Sequence, residues 1–192
     1  MAPTHAPRFV YFAHDRFSPA ELSAARLDGH LVELGEGFVP ADAVETPALR
    51  AASLAPLVDD RLAATHLSAA WVHGAVDEPP AQHAVQRAVG HRIRPVVDHR
   101  VVYRDVQLDA RDVVRIGGVL VTTPVRTLAD LARQSASGPD GAQVAEAISR
   151  LAAHAGAARE GIARLAQQDA VPGKPHALEL LRALERSAAK TS

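Results

Sequence analysis

Residues 113–133 read VVRIGGVLVTTPVRTLADLAR. A β-branched run from Val113 to Ile116 meets Gly117-Gly118, and a second run follows from Val119 to Thr122. A glycine pair between two such runs is turn material, because glycine takes positive φ without a steric cost. Behind the second run stand Thr123 and Pro124. Thr123 is placed to accept from the free N–H groups of a helix start, and Pro124 suits the first helical position. Leu128, Leu131 and Ala132 then fall on one apolar stripe at helical spacing. The stretch predicts a strand that delivers the chain straight to a helix packed on the same sheet. Arg126 lies in the first turn of that helix, where a cation opposes the dipole and wants a partner. Two partners are open: Asp130, one turn on, as an ion pair, or a phosphate held with the free N–H groups of the helix start.

Upstream, from Gln82 to Val121, the segments QHAVQRAV, RPVVDHRVVYRDVQL and DVVRIGGVLV are β-rich. Turn residues stand between them at Gly90, Asp98-His99 and Gly117-Gly118, and the spacing predicts an antiparallel meander. Downstream, QSASGPDG reads as a loop, followed by three alanine-rich helices. Val144, Ile148 and Leu151 mark the buried face of the first; Ala177, Leu181 and Leu184, widened by Leu180, mark that of the last.

Nearer the N-terminus, SPAELSAARLDG carries a helix start at Ser18, with Pro19 next, Glu21 three residues on and Gly29 at the end. HLVELGEGFVP then reads as a small hairpin turning at Gly35–Gly37. A helix followed at once by a hairpin is the second half of a winged helix-turn-helix. The first half, PRFVYFAHDRF, is short and aromatic, so the motif reads as degenerate. TPALRAASLAPLV and DDRLAATHLSAAWVHG predict two more helices, with Leu62, His66 and Ala70 on one stripe and Trp71, the only tryptophan, as a core anchor. DEPP, 77–80, breaks the helix and sets the expected division between residues 1–78 and 79–192. The expected fold class is α+β: a degenerate winged helix-turn-helix part followed by a small antiparallel sheet packed with helices.

The 192 residues carry a net charge of −1, yet the charge is uneven. Residues 1–60 hold four arginines against nine carboxylates, leaving −5; residues 80–126 hold eight arginines against four aspartates, leaving +4. That gradient points either to two surfaces with different tasks or to one surface complementing the other. With no cysteine, disulfides and thiolate metal sites are excluded. No apolar run approaches the roughly 20 residues that span a bilayer, and MAPTHAPRF lacks a signal-peptide core, so a cytoplasmic protein is expected, with no membrane partner.

Catalytic patterns are missing. Asp109 and Asp112 have the wrong spacing for a magnesium-binding Asp-x-Asp pair, and no lysine precedes Lys174, as a nuclease triad would need. GEG and GG lack the spacing of nucleotide-binding loops. His83, His91 and His99 recur every eight residues, but turns between them separate the rings, so surface histidines are the plainer reading. No enzyme activity, metal or cofactor is expected.

THLSAAWVHG, 65–74, and DVVRIGGVLVTTPVRTLADLAR, 112–133, together resemble the AbiEi-family antitoxins of type IV toxin–antitoxin systems, in their actinobacterial, winged-helix regulator form. Residues 18–40 stand where that family has its winged helix, and VPGKPHALELLRAL resembles its helical C-terminus. The resemblance implies a bacterial antitoxin that binds inverted repeats in its own promoter, as a dimer on DNA, and represses its operon. It also implies a functionally linked nucleotidyltransferase toxin without a stable complex. DNA contacts would then come from Ser18, Ser23, Arg26 and His30 of the helix and its end, and from Arg87, Arg92, Arg94, Arg100 and Arg104 of the meander. The helix is a poor match for phosphates: Asp28, Glu33 and Glu36 stand where the family has arginines, and carboxylates oppose DNA. The meander arginines equally fit a solvated sheet face. A protein-interaction module of the same family, with an acidic winged helix that no longer binds DNA, is the alternative.

Overall fold

In the computed structural model, which describes residues 9–13, 15–94, 98–135, 141–154, 156–167 and 171–191, the first helix begins where its caps place it. Helix α1 (Pro19–Leu27) opens on a capping box: the Glu21 N–H donates to Ser18 Oγ at 3.2 Å, and the Ser18 N–H donates to the Glu21 carboxylate at 2.7 Å. Two free donors of the helix end are thereby satisfied. Strands β1 (Leu31–Leu34) and β2 (Gly37–Pro40) form the expected antiparallel hairpin. Ahead of α1, Tyr11 exchanges two backbone hydrogen bonds with Phe38, so the described residues there extend the hairpin instead of forming a first helix. The stretch is too short and aromatic to bury a helical stripe, and its Val10 packs into the core in extended form.

Helix α2 (Pro47–Ser53), capped by Thr46, matches expectation. The next segment does not. The predicted helix from Asp59 is instead strand β3 (Leu62–Ala64) followed by helix α3 (His66–Val72). Leu62, Ala63 and Ala64 are all buried. Alanine favours helix by propensity, but here its small side chain suits a central strand covered on both faces, and burial overrides propensity.

Strands β4 (His83–Arg87), β5 (Val101–Gln107), β6 (Val113–Ile116) and β7 (Val119–Thr122) complete a five-stranded sheet in the order β5-β4-β3-β7-β6. The α+β class stands, while the antiparallel meander is corrected. β3–β4 and β6–β7 are antiparallel, but β4–β5 and β3–β7 are parallel. A long return between β4 and β5 permits a parallel pair, which a two-residue turn cannot. Period-two alternation fixes which face a residue takes, not which strand lies beside it.

Helices α4 (Pro124–Gln134), α5 (Gly141–Ala152), α6 (Ala157–Ala166) and α7 (Lys174–Thr191) follow. Residues 136–140, most of the expected loop, lie outside the described residues. α4 is the hub, packed by α3, α5, α6 and α7. The predicted stripes hold: Leu128, Leu131 and Ala132, Val144, Ile148 and Leu151, and Ala177 and Leu181 are buried, with Leu180 and Leu184 partly so. Trp71 is buried, and the Arg50 guanidinium lies 5.5 Å over its ring while donating to the carbonyls of Trp71 and Val76. Its cation faces the negative ring face, so α2 and α3 are locked together. One hydrophobic cluster runs from Val10 to Leu181. The central strand β3 precedes the DEPP break and pairs with β4 after it, so a division at 78/79 falls inside one core.

Candidate functional site

The residues read as DNA contacts are not gathered on one basic surface. On α1, Ser18 spends its hydroxyl on the capping box. Ser23 and His30 are exposed, and Arg26 pairs with Glu33 at 3.4 Å. Asp28 and Glu33 are exposed on the same element pair. This face is acidic where a recognition helix needs cations.

The hairpin tip turns inward. A Cβ on Gly35 would lie 2.3 Å from Ser53 Oγ and 3.2 Å from the Trp71 ring; one on Gly37 would lie 2.8 Å from Val10. Gly35 has φ +53 as well. Only glycines let the turn sit this close to the core. Between them, Glu36 accepts from Arg100 at 2.5 Å and stands 3.9 Å from His83. A wing reaching for a groove would project this tip into solvent.

The meander arginines separate into two groups. Arg87 is buried and donates to Asp105 at 3.0 Å and to the carbonyls of Val89 and His91. Arg100 is held by Asp98 and Glu36, and Asp98 is kept well below the usual carboxylate range by hydrogen bonds from that guanidinium. Arg92 is exposed and 3.9 Å from Asp105. Arg94 and Arg104 are exposed, with no ion pair among the described residues. The charge gradient is partly internal: Glu36–Arg100 and Asp60–Arg115 join the acidic head to the basic middle.

Arg126 resolves as an ion-pair residue. Its guanidinium is buried and donates to Asp130 at 2.8 Å and to Asp112 at 2.8 Å; Arg164 joins from α6 through Asp112. The pair with Asp130 matches the sequence spacing, but it lies inside the protein, not on an exposed face. Two carboxylates neutralise the cation, so no phosphate is needed to account for it. The network ties the start of β6, helix α4 and helix α6 together, which is what the Thr-Thr-Pro joint positions.

A family model for the AbiEi antitoxin C-terminal domain matches residues 62–183, from β3 into α7. The chain belongs to the AbiEi antitoxin family. The matched segment begins at the central strand β3 and ends within α7. No curated protein matches. Among solved structures, the crystal structure of RV2827C protein from Mycobacterium tuberculosis is similar at 18% identity and a TM-score of 0.49, over 88% of this chain. The chain spans 66% of that protein's length.

Within the antitoxin domain, sequence reasoning missed one feature. At the joint of β3 and α3, His66 has φ +51, the one non-glycine residue with positive φ among those described. An L residue held there costs roughly 1–2 kcal/mol. The turn from strand to helix places the imidazole just past the end of β3. Thr65 Oγ1 lies 2.9 Å from Nδ1 and so orients the ring instead of capping α3. Burial pushes the imidazole down to about 4, against the attraction of Asp130 and with the positive fields of Arg104, Arg126 and Arg133, so it is neutral at pH 7. His73, at the other end of α3, donates from Nε2 to the Thr122 carbonyl at 2.7 Å, bracing α3 on β7. No sequence signal marks His66 except its place beside Thr65 in the family motif. Among the described residues, no group of three His, Asp or Glu is placed to hold a metal, and His83 lies buried against Ser68 Oγ at 3.2 Å.

Proposed function

We propose that this chain is a non-enzymatic antitoxin of a type IV pair, active in the bacterial cytoplasm against a nucleotidyltransferase toxin, and that its N-terminal face binds protein rather than promoter DNA. The inward-turned hairpin tip carries this reading, because Glu36 is spent on Arg100. What α1 and the hairpin leave outside is acidic and apolar. Asp28 and Glu33 stand near Leu27, which is 80% exposed, and Phe17 and Val32 are exposed as well. Acids repel phosphates, whereas large apolar side chains rimmed by charge are the usual material of protein interfaces. The partner surface that fits is basic with apolar residues between the charges. Its link to the toxin needs no stable complex with it. Among the described residues no helix is long and apolar enough to cross a membrane.

A second reading rests on Arg92, Arg94 and Arg104, whose charges are the least engaged of the meander set. It would place promoter DNA against this end of the sheet, with two copies on an inverted repeat. Copurification separates the two. Tagged protein is expected to retain a partner that the Leu27→Glu variant loses while keeping its circular-dichroism spectrum. Selective binding to its own upstream DNA, lost in Arg94→Ala, would favour the second reading instead.

A further inference from the structure

The strained histidine faces a cleft that the antitoxin reading does not use. The cleft, about 230 Å³, lies between the start of α3, the end of α4 and the faces of β4 and β5. Leu67 and Val102 supply apolar wall, and His66, Gln82, Arg104 and Gln134 supply polar groups. Two of these are poised without partners among the described residues, and a third keeps an oxygen to spare. The Arg104 guanidinium has no ion pair or hydrogen bond among the described residues, unlike those of Arg87 on β4 and Arg100 just before β5. Gln134 Oε1 is buried and accepts no hydrogen bond among the described residues. Gln82 fixes its amide by donating to the His99 carbonyl at 2.7 Å, which leaves its own oxygen available.

Each observation has a cost that a ligand would offset. A buried amide oxygen without a donor forfeits the hydrogen bond that water would give it. Backbone strain at a non-glycine residue persists where the surrounding structure insists on it, and such residues cluster at binding and catalytic sites. A strand-to-helix elbow that lifts one side chain to the end of the sheet is how several enzymes present a functional residue. Here the elbow presents an imidazole whose Nδ1 is engaged by the Thr65 hydroxyl at 2.9 Å, and the ring lines the cleft as a polar wall.

From these groups we infer that the cleft binds a small organic anion: a carboxylate or phosphate against Arg104, an N–H donor for the Gln134 carbonyl, and an apolar body against Leu67 and Val102. Arg104 supplies the one cation, and its planar fork matches either oxyanion. The inference stands apart from the N-terminal protein face and shares no residue with it.

Calorimetric titration tests it with two probes that share this chemistry, N-acetyl-L-leucine for a carboxylate and adenosine 5′-monophosphate for a phosphate. Acetate and inorganic phosphate are the head-group controls. One probe is expected to bind one per chain, about tenfold or more tighter than its control, because the body and the N–H add contacts. Whichever binds identifies the oxyanion. Arg104→Gln, at an exposed and unpaired position, should weaken binding about tenfold or more. Ring NMR of His66 supplies a readout in the unaltered protein: bound anion should raise its titration midpoint and shift the Gln134 side-chain amide. No saturable binding by either probe, binding no tighter than the head-group controls, or binding that leaves His66 and Gln134 unshifted would each overturn the inference.

Discussion

Glu36, at the tip of the N-terminal hairpin, accepts a 2.5 Å hydrogen bond from Arg100, 64 residues away at the start of β5. An acid from the negative head and a base from the positive middle are one contact, and the hairpin is thereby fastened to the sheet. Arg100 remains 44% exposed and also has Asp98, so the pair is worth about 1 kcal/mol at most. Glu36→Ala is therefore expected to lower the melting temperature by a few degrees without unfolding the protein. Hydrogen exchange should quicken at the β1–β2 amides, and slower or unchanged exchange would show that the contact does not hold the hairpin.

Arg126 is a different case, because nothing around it is wet. Asp112 and Asp130 are 4% and 2% exposed, and both accept from its guanidinium. Arg126→Met leaves two buried carboxylates with only the outlying help of Arg164 and Arg133. The loss should be about 3–5 kcal/mol in urea denaturation. Arg126→Lys should recover only part of it, since an ammonium cannot reproduce the planar fork across both acids.

Acid should weaken the fold before carboxylates titrate. His66 and His83 are both buried, and burial pushes each to about 4. For His66 the nearby charges are Asp130, Arg104, Arg126 and Arg133; for His83 they are Arg100 and Glu36, the latter already engaged by Arg100. Unfolded histidine binds its proton near 6.5. Between about 4 and 6.5 the unfolded chain thus carries more protons, and stability rises with pH. The histidine contribution is complete above about 6.5 and declines as pH falls towards about 4, by up to about 3 kcal/mol per histidine. Urea midpoints at pH 7 and pH 4.5 should differ accordingly, and His83→Gln should flatten the dependence.

Two glycines with similar backbone angles should respond very differently to alanine. Gly117, φ +54, turns β6 into β7 against α2, and an added Cβ would lie 2.1 Å from the Ala48 carbonyl oxygen. Gly29, φ +77, has nothing within 4 Å of the same position. Gly29→Ala is expected to cost about 1 kcal/mol from backbone strain alone. Gly117→Ala should cost about 3 kcal/mol or more, because backbone must move as well. Equal losses in thermal denaturation would mean that the turn is not seated on α2 as described.

Local signals were legible. Ser18, Glu21 and Pro19 mark α1, Thr123 and Pro124 mark α4, and the helical stripes of α4, α5 and α7 are buried as their spacing requires. The Arg126–Asp130 pair follows from a separation of four, but its burial does not, because the cover comes from α6, far along the chain. β3 was hidden for a related reason: Ala63 and Ala64 resemble helix until two neighbouring strands claim them. Strand partners are chosen by long-range packing, so the mixed sheet lay beyond any periodicity. As for the site, arginine counts mark this stretch as basic, yet only distances show which guanidinium groups are already paired. His66 has an ordinary place in the sequence and an unusual one in the fold.

The most direct test of the central claim, that the acidic N-terminal face does not read DNA, is a gel-shift titration against DNA from upstream of the gene, beside a random duplex of equal length, at low and at physiological salt. The account predicts no sequence-selective shift. Any weak shift at low salt should vanish on adding salt, with a logarithmic slope no steeper than about −3, as expected from Arg92, Arg94 and Arg104 at about 0.9 per phosphate. A saturable, selective shift that persists at physiological salt and is lost in Ser23→Ala or Arg26→Ala would contradict it and make α1 a recognition helix.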